Sequence, residues 1–309
     1  MKADMVFEGG GVKGIAFVGA ICCLEENGYE WENIAGTSAG SIIASLLAAG
    51  YTGKELRNIM MKVDYKKFLD KDKVQSIPII GRPMGLFGEK GIYLGDKIEE
   101  WVNNLLEKKG KTKFKHITKS GKCPLKIITS DITKQELIIL PDDLIKYGID
   151  PMEYEIAKAV RMSISIPFYF KPVKFQYNKG VSYFVDGGIL SNFPIWIFDV
   201  RKIPAWPTFG FKLVDDKLSY TATGKTDVIS FILDIFNTMI DRNEQIYLKD
   251  QDSVRTICIP TLGIHTTQFD ISKEASLELF QSGYHSTDEF LNTWDFQAYI
   301  KKYRMKNTR

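Results

Sequence analysis

The sequence predicts an α/β protein with a mainly parallel central sheet and helices on both faces. Two observations carry this. Two strand-turn-helix units stand in succession at the start of the chain. In the first, the apolar run Met5-Val6-Phe7 leads through Glu8-Gly9-Gly10-Gly11-Val12-Lys13-Gly14 into a helical pattern; in the second, Ile34-Ala35 leads through Gly36-Thr37-Ser38-Ala39-Gly40 into another. Strands over about 4–8 and 31–36, joined by a crossover helix over about 12–27, form a right-handed parallel unit, and both turns lie at carboxyl ends of strands. The second observation is that both helices are apolar on nearly every side, as the buried helices of a doubly wound sheet are.

The bulk properties agree. The 309 residues are 44% hydrophobic and 26% charged, which describes one ordinary globular chain with a large core. A formal net charge of +3 is too small to imply nucleic acid. Cys22, Cys23, Cys123 and Cys258 have no metal-ligand spacing and read as reduced thiols. The chain starts on a strand without the pattern of a signal peptide and has no long uncharged apolar run, so a cytoplasmic protein is expected, either free or peripheral at membranes, with secretion without a signal peptide as the alternative.

Taken in order, the first helix carries Ile15, Phe17, Val18, Ile21, Cys22 and Leu24 and stops at Asn27-Gly28; the second runs from Ser41 to Ala49 and ends at Gly50. Thr52-Gly53-Lys54-Glu55 matches a capping box and starts a third helix, to about Val63. From about 64 to 126 the composition changes, and this stretch reads as an insertion or lid-like region, with one helix from about Asp96. Within it, 77–88 reads either as a mobile apolar lid or as a packed loop. Lys108 to Lys126 holds eight lysines and no acid, with Phe114 and Ile117 among them. That is either a solvated loop or a basic, partly apolar face for an anionic membrane.

Pro124 to Asp131 reads as a strand, with Glu136 to Leu140 as its hairpin neighbour, and a helix over about 153–162 precedes Ser163-Ile164-Ser165-Ile166-Pro167. Val181 to Val185 forms a strand that delivers Asp186-Gly187-Gly188. Farther on, 227–249 reads as a helix with a broad apolar stripe, for the core or for contact between copies in a homo-oligomer, and Val254 to Pro260 as a strand. A last helix begins after Ser272 and is expected to break near Gly283. No repeat or low-complexity linker divides the chain, so one domain over 1–309 is expected, with about 200–309 as elements packed on it.

Ser38 sits in a G-x-S-x-G turn between strand and helix, a nucleophile elbow, where Gly36 and Gly40 keep side chains out of a sharp bend. The Gly9-Gly10-Gly11 loop shares its sheet edge, and exposed N–H groups at the start of a helix suit a candidate oxyanion hole. A serine nucleophile needs a proton acceptor within reach. Of the three histidines, His116 lies in the lysine-rich stretch, whereas His265 and His285 follow Asp186 in the order that an α/β-hydrolase would use. That fold places several strands before its elbow; here Ser38 follows only the second. Gly9-x-Gly11-x-x-Gly14 also fits a dinucleotide loop, with Glu30 or Glu32 near the distance of a ribose-binding acid, although the strand end itself holds Gly36-Thr37-Ser38.

The three blocks at Glu8–Gly14, Gly36–Gly40 and Asp186–Gly188, in this order, resemble the signature of the patatin-like phospholipase family. Ala159 to Pro167 with Pro172, and Asn192-Phe193-Pro194 after the aspartate, resemble its supporting context. The likeness covers about 4–200. It implies a patatin-like α/β fold and a lipid acyl hydrolase of phospholipase A or lipase/esterase type. Its catalytic pair would be Ser38 and Asp186, its oxyanion hole Gly9, Gly10 and Gly11, its loop support Lys13 and Gly14, and its elbow glycines Gly36 and Gly40. Neither metal nor cofactor is implied, and the partner would be a lipid ester at a membrane or micelle surface. A non-catalytic lipid-binding module is the further alternative. The family often has Asp where Glu8 stands and Arg where Lys13 stands, which is expected to alter how the loop is anchored.

Overall fold

A computed structural model describes residues 1–70, 90–177, 180–215, 238 and 249–305. The expected lid at 77–88 lies outside the described residues, as does the helix expected over 227–249 apart from 238 and 249. In chain order the main elements are β1 (Lys2–Phe7), α1 (Ile15–Glu26), β2 (Glu30–Thr37), α2 (Ala39–Ala48), α3 (Gly53–Met60), β3 (Gly91–Tyr93) and α4 (Asp96–Lys108). They continue with β4 (Leu125–Asp131), β5 (Glu136–Leu140), α5 (Ile156–Ser163), β6 (Phe168–Phe170), β7 (Val173–Tyr177) and β8 (Gly180–Asp186). β9 (Thr208–Val214), β10 (Thr256–Pro260) and α6 (Lys273–Thr293) complete them.

The main sheet runs in the order β10-β9-β1-β2-β4-β8-β7, with β5 also on β4. Strands from β10 to β4 pair in parallel; β5 and β8 join β4, and β7 joins β8, in antiparallel fashion. Ala3 to Phe7 of β1 are all buried, so helices must cover both faces at the centre of the sheet.

The pairing along β4 places the functional turns. Ile127 and Ile128 take β5 on one edge and β2 on the other, and Thr129 to Asp131 take β5 and β8. β2 and β8 therefore share one edge of β4 and meet head to head: Thr37 lies opposite Ile128, and Asp186 opposite Thr129. A β-carbon on Gly187 would stand 2.9 Å from Thr37 Cγ2 and 2.5 Å from the Ile128 carbonyl, so only glycine lets the two strand ends come so close.

α3 begins at the expected capping box, with Thr52 and Glu55 each bonded to the other's backbone, and ends at Met60 rather than Val63. α6 does not break at Gly283. It runs straight through, because a β-carbon there would lie 1.8 Å from the Ala16 carbonyl of α1, just as one on Gly19 would lie 1.9 Å from the Phe280 carbonyl of α6. The glycine serves helix contact instead of a kink. The lysine-rich stretch offers no apolar face to a membrane: Phe114 and Ile117 are buried in the core. Lys113 and Lys115 pair with Glu153, Lys109 with Glu55 and Lys126 with Asp142. Among the described residues, no helix is long and apolar enough to cross a membrane.

Candidate active site

Ser38 stands between β2 and α2 with φ 51° and ψ −125°, a positive-φ conformation that a serine rarely adopts. The turn is held open for it by absent side chains. A β-carbon on Gly36 would lie 2.2 Å from the Gly40 carbonyl, and one on Gly40 would lie 2.5 Å from the Glu8 carbonyl. The elbow is tied down as well. Ser38 N–H donates to Ser163 Oγ at 2.9 Å, Ser163 Oγ donates to the Ile128 carbonyl, and Ser41 Oγ donates to the Ser38 carbonyl at 2.6 Å.

Asp186, at the end of β8, is wholly buried. Its Oδ1 accepts the Gly188 N–H at 2.8 Å, and its own N–H donates to the Ser165 carbonyl at 2.9 Å. Oδ2 has no hydrogen bond of ordinary geometry among the described residues. Burial pushes the carboxyl up to about 7, against the opposing pull of the Ser38 hydroxyl and the Gly188 N–H. Thus Ser38 faces the carboxyl closely enough to bias its ionisation without a closed hydrogen bond. One turn at the end of α5 fastens both partners, Ser38 through Ser163 and Asp186 through Ser165.

The glycine loop follows β1. Glu8 anchors it, buried, with Oε1 2.8 Å from Lys212 Nζ and Oε2 accepting the Leu213 N–H at 2.6 Å, both on β9. Gly9 and Asn192 pair through the Gly9 N–H to the Asn192 carbonyl at 3.1 Å and Asn192 Nδ2 to the Gly9 carbonyl at 3.3 Å. Gly9 was expected among the oxyanion donors, but its N–H is engaged. Its contribution is room, since a β-carbon there would lie 2.2 Å from Asn192 Oδ1 and 3.1 Å from Ser38 Cβ. The N–H groups of Gly10 and Gly11 have no partner among the described residues. Gly11 has φ 56°, and a β-carbon there would lie 2.0 Å from the Thr266 carbonyl, which also accepts the Val12 N–H. The Lys13 stem passes beside Gly10, 3.8 Å from where its β-carbon would be. Around Gly14 a methyl group would find only an ordinary contact, 3.7 Å from Ala39 Cβ.

The other sequence candidates lie elsewhere. His265 and His285 are exposed, and His116 Nδ1 accepts the Lys113 N–H. Glu30 and Glu32 begin β2 at the opposite end of the sheet from the glycine loop, and Glu32 pairs with Lys2, so neither is placed to meet a nucleotide ribose there.

The sequence profile of the patatin-like phospholipases matches residues 5–199, well over half of the chain. The chain belongs to the patatin-like phospholipase family. It is 37% identical to the protein YqhO of Bacillus subtilis (strain 168) over 297 residues, 96% of this chain and all of that one. It is 32% identical to the "Probable lipid hydrolase 463L" of Invertebrate iridescent virus 6, over 62% of this chain and 61% of the viral protein. In fold it is similar to VipD from Legionella pneumophila, with a TM-score of 0.58 at 18% identity over 94% of this chain and 67% of VipD. The patatin-like architecture thus extends past the matched stretch into β9, β10 and α6.

Five supports of this patatin-like site went without an assigned role in the sequence: Ser163, Ser165, Asn192, Lys212 and the Thr266 carbonyl. The serines and Asn192 stood in recognisable blocks, but their role is to bond backbone far away in the chain. Lys212 left one trace, a lone cation in an otherwise apolar run.

Proposed function

We propose that this patatin-like protein hydrolyses carboxylic esters of lipids, as a phospholipase A or lipase/esterase, through an acyl-enzyme on Ser38 with Asp186 as base. The observation that carries the reading is the meeting of β2 and β8 on β4, which sets a strained serine beside a buried carboxyl whose pKa suits a base at neutral pH. Ser38 Oγ attacks the ester carbonyl and gives its proton to Asp186. The N–H groups of Gly10 and Gly11 receive the oxyanion, each worth about 3 kcal/mol of barrier. Collapse breaks the bond to the alcohol, which leaves with the proton from Asp186. Water then attacks the acyl carbon, Asp186 again takes a proton, and the fatty acid departs as Ser38 regains its hydroxyl. The substrate would be presented at a membrane or micelle surface, in keeping with the lipid hydrolase name of the viral relative.

The test is peptide mass spectrometry after exposure of the folded protein to a fluorophosphonate, together with turnover of a panel of lipid esters. One adduct on Ser38 is expected. Ser38→Ala should abolish it, and Asp186→Asn should slow labelling and turnover by roughly 10³-fold or more. More than a few per cent of turnover in either variant would sink the pair; an unlabelled, well-folded wild type would leave lipid binding without catalysis.

A further inference from the structure

Two buried acceptors lie beside Ser38: Oδ1 of Asn192, which lacks a donor among the described residues, and Oδ2 of Asp186, to which the neighbouring Ser38 hydroxyl does not close a hydrogen bond of ordinary geometry. Asn192 is only 2% exposed, and its amide has one sensible orientation. Nδ2 donates to the Gly9 carbonyl, and the reversed amide would set two oxygens against each other. Oδ1 is therefore the free end. It lies 2.2 Å from where a β-carbon of Gly9 would stand, and that same point is 3.1 Å from Ser38 Cβ. A carboxamide oxygen buried without a donor costs about 1–3 kcal/mol, and the Gly9 clamp holds it there nonetheless.

Two acceptors flanking one serine suit a small molecule with two O–H donors, namely water. Resting on the acyl-enzyme reading above, we propose that Asn192 Oδ1 and Asp186 Oδ2 together orient the hydrolytic water, making Asn192 a catalytic residue of deacylation. One O–H points to Asn192 and stays there. The other points to Asp186, which takes that proton as the water oxygen bonds to the acyl carbon. When the tetrahedral intermediate collapses, the C–Oγ bond breaks, Ser38 Oγ takes the proton back from Asp186, and the carboxylic acid leaves. Acylation makes no such demand, because its nucleophile is the Ser38 hydroxyl, already held by its own elbow. Asn192 therefore acts on one half of the cycle.

The experiment compares wild type with Asn192→Leu, which keeps the volume and deletes both the Oδ1 acceptor and the Nδ2 bond to the Gly9 carbonyl. Acylation then reads the cost of the lost clamp, and only the further loss in deacylation belongs to Oδ1. Fluorophosphonate labelling is measured beside the burst and steady state of p-nitrophenyl butyrate hydrolysis. Labelling and burst rate are expected to fall together, by what the lost clamp on Gly9 costs, whereas the steady state falls by about 10- to 100-fold more than either and a butyryl adduct builds up on Ser38. Added hydroxylamine, a stronger nucleophile, should release that adduct as the hydroxamate. If leucine is not accommodated, Asn192→Ala, which only removes atoms, makes the same comparison. Burst and steady state falling in parallel, or a steady state left unchanged, would overturn the assignment while leaving the acyl-enzyme intact. A wild type that forms no Ser38 adduct would instead remove the acyl-enzyme reading, and this inference with it.

Discussion

Asp186 ties activity and stability to pH in opposite senses. Burial raises its pKa from 3.8 to about 7, so the folded state disfavours the charged form. Below about pH 4 the carboxyl is protonated in folded and unfolded chains alike, and it costs nothing. Between about pH 4 and 7 the unfolded chain gives up this proton first and stability falls; above that, the full cost of about 4 kcal/mol stands. Asp186→Asn keeps the shape without the charge. It should melt at a higher temperature than wild type at about pH 8, with the gap closing towards pH 4. Activity of the wild type should run the other way, rising through about pH 7 as the base ionises. A gap that does not vary with pH would show that Asp186 is not the buried titrating group. Residues of this kind are legible in a sequence when they sit in a local motif, as Ser38 and Asp186 do. Ser163, Ser165 and Asn192 stood in recognisable blocks, but their roles were not legible, because their partners are backbone atoms of the elbow, β4, β8 and the glycine loop, which only the fold brings near.

At the scale of elements, the opening β1-α1-β2-α2 unit was readable from turns and apolar runs, because local chemistry alone sets it. β9 was not, and the reasons are tertiary. Its run Thr-Phe-Gly-Phe-Lys-Leu-Val is interrupted at Gly210, where a β-carbon would lie 2.3 Å from Phe193, and at Lys212, which is buried to pair with Glu8. Both interruptions serve neighbours in space. The contact of α1 with α6 is likewise invisible in either helix alone, and it makes two glycine substitutions differ sharply. Gly283→Ala should destabilise by about 1–3 kcal/mol in urea titration, since the added methyl group meets backbone that can only move by parting the helices. Gly14→Ala, where the nearest contact is ordinary, should stay within about 0.5 kcal/mol of wild type. Equal costs at the two positions would mean that α1 and α6 are not in backbone contact.

For the whole molecule, the family match stops at residue 199 but the sheet does not. β9 pairs with β1, Lys212 neutralises Glu8, and the Thr266 carbonyl takes the Val12 N–H. A fragment of residues 1–199 would leave β1 as an open edge and Glu8 as an unpaired buried charge, worth about 3–5 kcal/mol by itself. Such a fragment should show no cooperative urea transition and take no fluorophosphonate; a cooperative, labelled fragment would make the last third dispensable. The head-to-head meeting of β2 and β8 bears also on how the chain is born. Synthesis delivers Ser38 long before Asp186, and chains begin to fold from their N-terminal end as they emerge. The growing polypeptide thus carries a harmless alcohol, and the proposed pair can act only after β8 has docked on β4 and β9 has closed the edge of β1.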